Sequence, residues 1–194
     1  MFLCVCPFLP RDACVLLSSN SGNFLSTSFF PECDFIEIEI KYGILQIAEA
    51  LCYLHVTEQM MHRNISPQSI LLTKRGGWKM AGLGFAEKAL KDGKDTYLCQ
   101  PWTTKLPKMA QPDLNYMAPE ILTDKTCTSL SDIFSLGMVV CSVYNSGKPL
   151  IEAEHSVSLY LKKLDQVILF FFFLDYYSTH WYVSLPFYLY LYMH

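Results

Sequence analysis

Apolar positions along the chain fall into blocks of different spacing, and each spacing predicts its own element. Between Tyr42 and Val56 they recur at Ile44, Ile47, Ala48, Leu51, Leu54 and, in step with them, His55. That is one face of a 3.6-residue helix, which turns Gln46 and Glu49 toward solvent. Met60-Met61-His62-Arg63-Asn64-Ile65-Ser66-Pro67 follows, a tight segment that a helix cannot cross because of Pro67. Ile70-Leu71-Leu72 and Trp78-Lys79-Met80 flank Thr73-Lys74-Arg75-Gly76-Gly77. Two short apolar runs around a glycine-containing connection predict a small β-hairpin.

Residues 84–115 are polar and punctuated by Gly93, Pro101, Pro107 and Pro112. A loop of that length inside a compact domain is usually functional or disordered. From Ser131 to Tyr144 the chain is apolar on nearly every side, which predicts a helix buried all round. Gly147 and Pro149 end it. The two ends behave differently. Residues 1–31 are apolar and Ser-rich with no sustained period, and Ser18 to Asn23 has the composition of a loop. Val167 to Leu174 is an unbroken apolar run, and Tyr176 to His194 is crowded with Tyr, Phe and Leu, interrupted by Pro186. The expected organisation is an unassigned segment 1–31, a folded domain 32–166 and an apolar aromatic tail 167–194 that reads as a strand-forming, aggregation-prone run.

Composition narrows the function classes. The 194 residues suffice for one domain. A formal net charge of -3 with no clustered basic face excludes an electrostatic footprint for nucleic acid. The eight cysteines are scattered, with no CxxC pair and no histidine at metal-ligand spacing, so reduced thiols are expected rather than a disulfide framework or a zinc site. Cys52 and Cys141 fall within helical patterns, where a thiol acts as a small hydrophobe. The apolar start lacks a basic flank and is broken by Pro7 and Pro10, unlike a secretory signal.

Four motifs then appear in one order. His62-Arg63-Asn64-Ile65-Ser66-Pro67-Gln68-Ser69-Ile70-Leu71 resembles the protein kinase catalytic loop, H-R-D-L-x-x-x-N. Gly82-Leu83-Gly84 stands where D-F-G belongs, and Ala118-Pro119-Glu120, preceded by Tyr116-Met117, matches A-P-E. Asp132 to Gly137 is similar to the family's buried helix, whose Asp anchors the catalytic-loop backbone. Among kinases the chain resembles the SCY1-like pseudokinases, in particular their coated-vesicle-associated branch, through Lys41-Tyr42-Gly43-Ile44-Leu45-Gln46, Trp78-Lys79-Met80 and Ala118-Pro119-Glu120. The resemblance covers residues 32–166. It implies an α+β, protein-kinase-like fold, mainly the helical C-lobe with a small β-hairpin, incomplete at both ends.

The resemblance also locates a deficit. Phosphoryl transfer rests on positioning and charge neutralisation, with little covalent work for the protein. Where the family has its catalytic Asp this chain has Asn64, whose amide cannot take a proton at neutral pH. Ser66 replaces the following Lys, Ser69 the metal-binding Asn, and Gly82 the metal-binding Asp of D-F-G. Residues 1–41 hold neither G-x-G-x-x-G nor V-A-I-K, and are expected to be too few for an N-lobe. By resemblance Leu71 and Ala81 sit at adenine-pocket positions, and either would serve as core without nucleotide. His62 is expected as a packed structural histidine, and Arg63 as partner of a phosphorylated loop residue or of any nearby carboxylate. Glu120 is expected to pair with an Arg that lies beyond this chain, and to be strained without it. Thr96, Tyr97, Thr103 and Thr104 offer hydroxyls for phosphorylation.

The expected function is a catalytically impaired kinase-like fragment acting as a protein-binding scaffold, with no catalytic residue, metal ligand or cofactor, ATP remaining an open alternative. The resemblance implies a cytoplasmic protein at Golgi or endosomal membranes, working with clathrin and its adaptors largely through regions absent here. Two alternatives stand beside it: a protein serine/threonine kinase with ATP binding and weak transfer, and a small protein anchored to a membrane by residues 167–194.

Overall fold

The computed structural model of the chain describes residues 35–73, 75–88, 97–98, 102–106 and 110–177. The first helix, α1, spans Glu37–Cys52 and so begins before Tyr42. Ile36 at its N-cap has no side-chain oxygen. Glu39 compensates, its carboxylate accepting the Ile36 N–H at 3.1 Å, and Glu37 and Glu39 both face the positive end of the helix dipole. The helix widens into a π turn over Tyr53–Thr57, a form that recurs at functional sites.

α1 buries Ile40, Gly43, Ile47 and Leu51, with Leu54 continuing the stripe through the π turn. Strands β2 (Ile70–Leu72) and β3 (Trp78–Met80) form the expected hairpin, in the register Ile70↔Met80, Leu71↔Lys79, Leu72↔Trp78. The hairpin docks on α1 through Trp78. A Cβ on Gly43 would lie 2.2 Å from the indole, so only glycine lets the two elements meet this closely. Gln46 is not on a solvent face as its polarity suggested: it is half-buried, and its Oε1 accepts the Trp78 N–H at 2.6 Å. The Gln46 amide oxygen thus satisfies a hairpin backbone donor that no neighbouring strand takes.

The long polar stretch is more ordered than its composition suggests. Within it lie a 3-10 turn at Leu83–Phe85, strands β4 (Glu87–Lys88) and β5 (Tyr97–Leu98), and a second 3-10 turn at Leu114–Tyr116. β4 pairs with β1 (Met60–Met61), and β5 with β6 (Thr126–Cys127), each antiparallel. Pairings between such distant and short runs leave no periodicity in the sequence.

α2 (Pro119–Thr123) opens with Pro119 at its first turn, and α3 (Ser129–Tyr144) is capped by Thr128, whose hydroxyl accepts the Leu130 N–H. α3 is the buried helix of the sequence reading, with Phe134, Leu136, Met138 and Val139 in the core. Gly147 at φ +77° ends it, its N–H returning to the Ser142 carbonyl at 2.8 Å. Cys127 is buried and Cys141 half-buried, burial pushing the Cys141 thiol up to about 11, whereas Cys52 is exposed and packs nothing as a small hydrophobe.

α4 spans Val157–Tyr177 without a break at 166/167. The first part of the expected strand-forming tail is therefore helix, because Val167 to Leu174 continues a turn already nucleated and packed from Val157 onward. Tyr160 fixes α4 to the site region: it is fully buried, and its hydroxyl donates to the Met117 carbonyl at 2.9 Å. No helix among the described residues is long and apolar enough to cross a membrane. Residues 1–34, the unassigned segment included, and residues 178–194 lie outside the described residues.

Candidate functional site

The turn after β1 is built around one buried carboxylate. Asp132, in the first turn of α3, is almost fully buried. Its Oδ2 accepts the His62 N–H at 2.8 Å, and its Oδ1 the Arg63 N–H at 2.8 Å. His55 Nε2 also donates to Oδ2 at 2.8 Å from the π turn that ends α1. Three donors on one carboxylate offset the desolvation of its charge. They also tie α1, the turn and α3 to a single point. Arg63 is held at φ +65°, a left-handed conformation unusual for a side chain with a Cβ. The two N–H bonds to Asp132 impose it.

His62 is fully buried. Its Nε2 donates to the Ala81 carbonyl at 2.9 Å, and its Nδ1 accepts the Asn64 N–H at 3.3 Å. One nitrogen donating and the other accepting is the pattern of a neutral imidazole. Burial holds the His62 pKa below its usual value, opposed by the charge of Asp132. Arg63 reaches outward, where its Nη1 pairs with Glu87 Oε2 on β4.

Ser66 to Ser69 closes on itself. Ser69 Oγ donates to the Ser66 carbonyl at 2.9 Å and accepts the Ser66 N–H at 3.0 Å, around the 3-10 turn Pro67–Ser69. The Ser69 carbonyl then takes the Ala81 N–H at 2.7 Å. This bond sets Gly82 beside the loop, at φ +79°. A Cβ on Gly82 would stand 3.1 Å from Ser69 Cβ and 3.8 Å from Asn64 Nδ2. The structure thus gathers Asn64, Ser69 and Gly82 around one spot. Ser66 is buried, while Leu83 and Gly84 continue into the 3-10 turn at the surface. Leu71 is half-buried in mid-hairpin, and Ala81 is buried and locked by backbone bonds on both sides.

Ala118 is fully buried and Pro119 half-buried, and Glu120 corrects an expectation. It is half-buried, and its Oε1 accepts the Ser131 hydroxyl at 2.5 Å. The N-terminus of α3 gives this carboxylate a partner within the chain, so it is not left unpaired here. Sequence reasoning missed His55, Glu87 and Gln46 as partners. His55 had a signal, a histidine on an apolar helix face, but nothing in the sequence connects it to Asp132.

The family model for the protein kinase domain matches residues 13–184. The chain belongs to the protein kinase family. The match runs past both ends of the expected 32–166 domain. Human SCY1-like protein 2 is 36% identical over 135 residues, covering 68% of this chain and 14% of that protein. The protein kinase-like protein SCY1 of Saccharomyces cerevisiae is 36% identical over 125 residues, 63% of this chain and 15% of that protein. An Aurora kinase of Patiria pectinifera is 33% identical over 119 residues, 61% of this chain and 26% of its own length. The chain spans about one seventh of the SCY1-like relatives it matches, the group that the motifs pointed to.

Proposed function

We propose that this chain is a pseudokinase module, a kinase-family domain that binds proteins and does not transfer phosphate. The observation carrying the reading is the spot where Asn64, Ser69 and Gly82 converge. Kinases hold nucleotide-bound Mg²⁺ there with a carboxylate and an amide. Here Gly82 has no side chain, and the Ser69 hydroxyl is engaged twice by the Ser66 backbone. Asn64 leaves one neutral amide. Mg²⁺ requires near-octahedral oxygen ligation, and these residues do not fit it. Asn64 also cannot act as a base. Losing one such group costs on the order of 10²–10³ in rate, and several lost from one unit leave little to measure.

The loop keeps its shape despite the altered positions, because His55, Asp132, His62 and Arg63 still hold it, and a folded domain without the transfer groups retains its surface for binding. On the resemblance to the SCY1-like branch we place this scaffold in the cytoplasm at Golgi or endosomal membranes, in clathrin-dependent trafficking.

Incubating the purified chain with Mg²⁺ and γ-labelled ATP tests the reading. No label is expected on the chain or on an added protein acceptor. Transfer that disappears in Asn64→Ala would establish the rival reading, a weak serine/threonine kinase.

A further inference from the structure

Arg63 carries a charge into the interior and needs a counter-ion there. Its side chain is only 10% exposed, and a guanidinium stays protonated at any physiological pH. A charge left unpaired at that depth is strongly destabilising. Asp132, which holds the Arg63 backbone, is already engaged by two backbone N–H groups and by His55. Glu87 meets the guanidinium instead, its carboxylate against Nη1, while itself 51% exposed. The pair is therefore one-sided. Arg63 is a buried anchor on a backbone fixed at φ +65°, and Glu87 is an arm reaching in from solvent.

What the arm carries is β4. That strand consists of Glu87 and Lys88, laid on β1 in the register Met61↔Glu87 and Met60↔Lys88. Both residues are exposed, so the strand sets neither side chain into the core. A ladder this short holds poorly by its own hydrogen bonds. Upstream, Gly82 and the 3-10 turn Leu83–Phe85 run into β4, the Ala86 N–H returning to the Leu83 carbonyl at 3.1 Å. Downstream begins the polar stretch that carries Thr96, Tyr97, Thr103 and Thr104. Arg63 and Glu87 thus meet where the chain leaves the spot shared by Asn64, Ser69 and Gly82.

We infer that the Arg63–Glu87 pair is a built-in latch, which docks the base of this stretch on the turn after β1 without any phosphorylation. A carboxylate encoded in the sequence supplies the negative charge, so nothing has to be added to the hydroxyls downstream. The latch stands whether or not the chain transfers phosphate.

Hydrogen exchange read by mass spectrometry tests it on the full chain, produced in bacteria and shown by its mass to carry no phosphate. Glu87→Ala removes the carboxylate at an exposed site, where no cavity is left. Exchange over residues 83–88 is expected to be about tenfold faster in this variant than in the parent, while residues 129–144 of α3 keep the parent rate. Arg63→Gln is expected to have the same effect, and the double variant no more than either single, because the two side chains act as one unit. A phosphate-free parent that exchanges over residues 83–88 as fast as Glu87→Ala would overturn the proposal. So would additive effects in the double variant, or a Glu87→Ala variant that loosens α3 as much as β4. Should Arg63→Gln, at a buried site, unfold and loosen α3 as well, Glu87→Ala decides alone.

Discussion

Asp132 shows how much structure a single side chain can organise. It satisfies two backbone N–H groups that have no helix or strand partner, and it takes a third donor from His55. Asp132→Ala leaves those donors buried and unmet, so unfolding in urea is expected to show a loss of about 3–5 kcal/mol. A loss below about 1 kcal/mol would mean that water replaces the carboxylate. His62 makes a pH-dependent contribution. Because burial depresses its folded pKa, the unfolded chain binds the proton more readily. Its contribution is therefore complete above the unfolded value of about 6.5 and is lost as pH falls from there toward the depressed folded value. The urea midpoint is expected to drop from pH 7.5 to 5.5, and to drop less in His62→Gln, where that proton uptake is gone; equal drops would assign the effect to other groups. At this scale the motifs placed Asp132, His62 and Asn64 in the right elements. They could not show that the Ser69 hydroxyl is already engaged, or that Glu87 is the partner of Arg63, because both follow from backbone geometry.

Elements were legible where a period runs long enough. The core face of α1, the hairpin and α3 follow from spacing alone, since each buries a continuous face. The short pairs β1–β4 and β5–β6 did not, because two-residue strands carry no alternation to read. The close approach of α1 and β3 was also hidden. Gly43 lies within a helical pattern, where glycine costs stability and only a packing reason justifies it. Gly43→Ala tests that reason. Helix propensity alone favours alanine by about 1 kcal/mol, yet its Cβ would meet the Trp78 indole at 2.2 Å. A net destabilisation of about 1–3 kcal/mol is expected, read from the denaturation midpoint; a stabilised variant would show that the hairpin can slide away from α1 at little cost.

Over the whole molecule, the order of motifs announced the kinase family, and the family match extends that assignment from residue 13 to residue 184. What the motifs left open was whether altered residues could still hold a metal-bound nucleotide, which is a question of who else uses each oxygen. The most direct test is the melting temperature of the full chain with ATP, compared with and without Mg²⁺. A chain unable to seat the ion is expected to melt at the same temperature in both. A functional site saturated about 100-fold above its Kd would add about 2.7 kcal/mol, raising the melting temperature by about 5–10 °C, and a rise of that size only when Mg²⁺ is present would contradict the account.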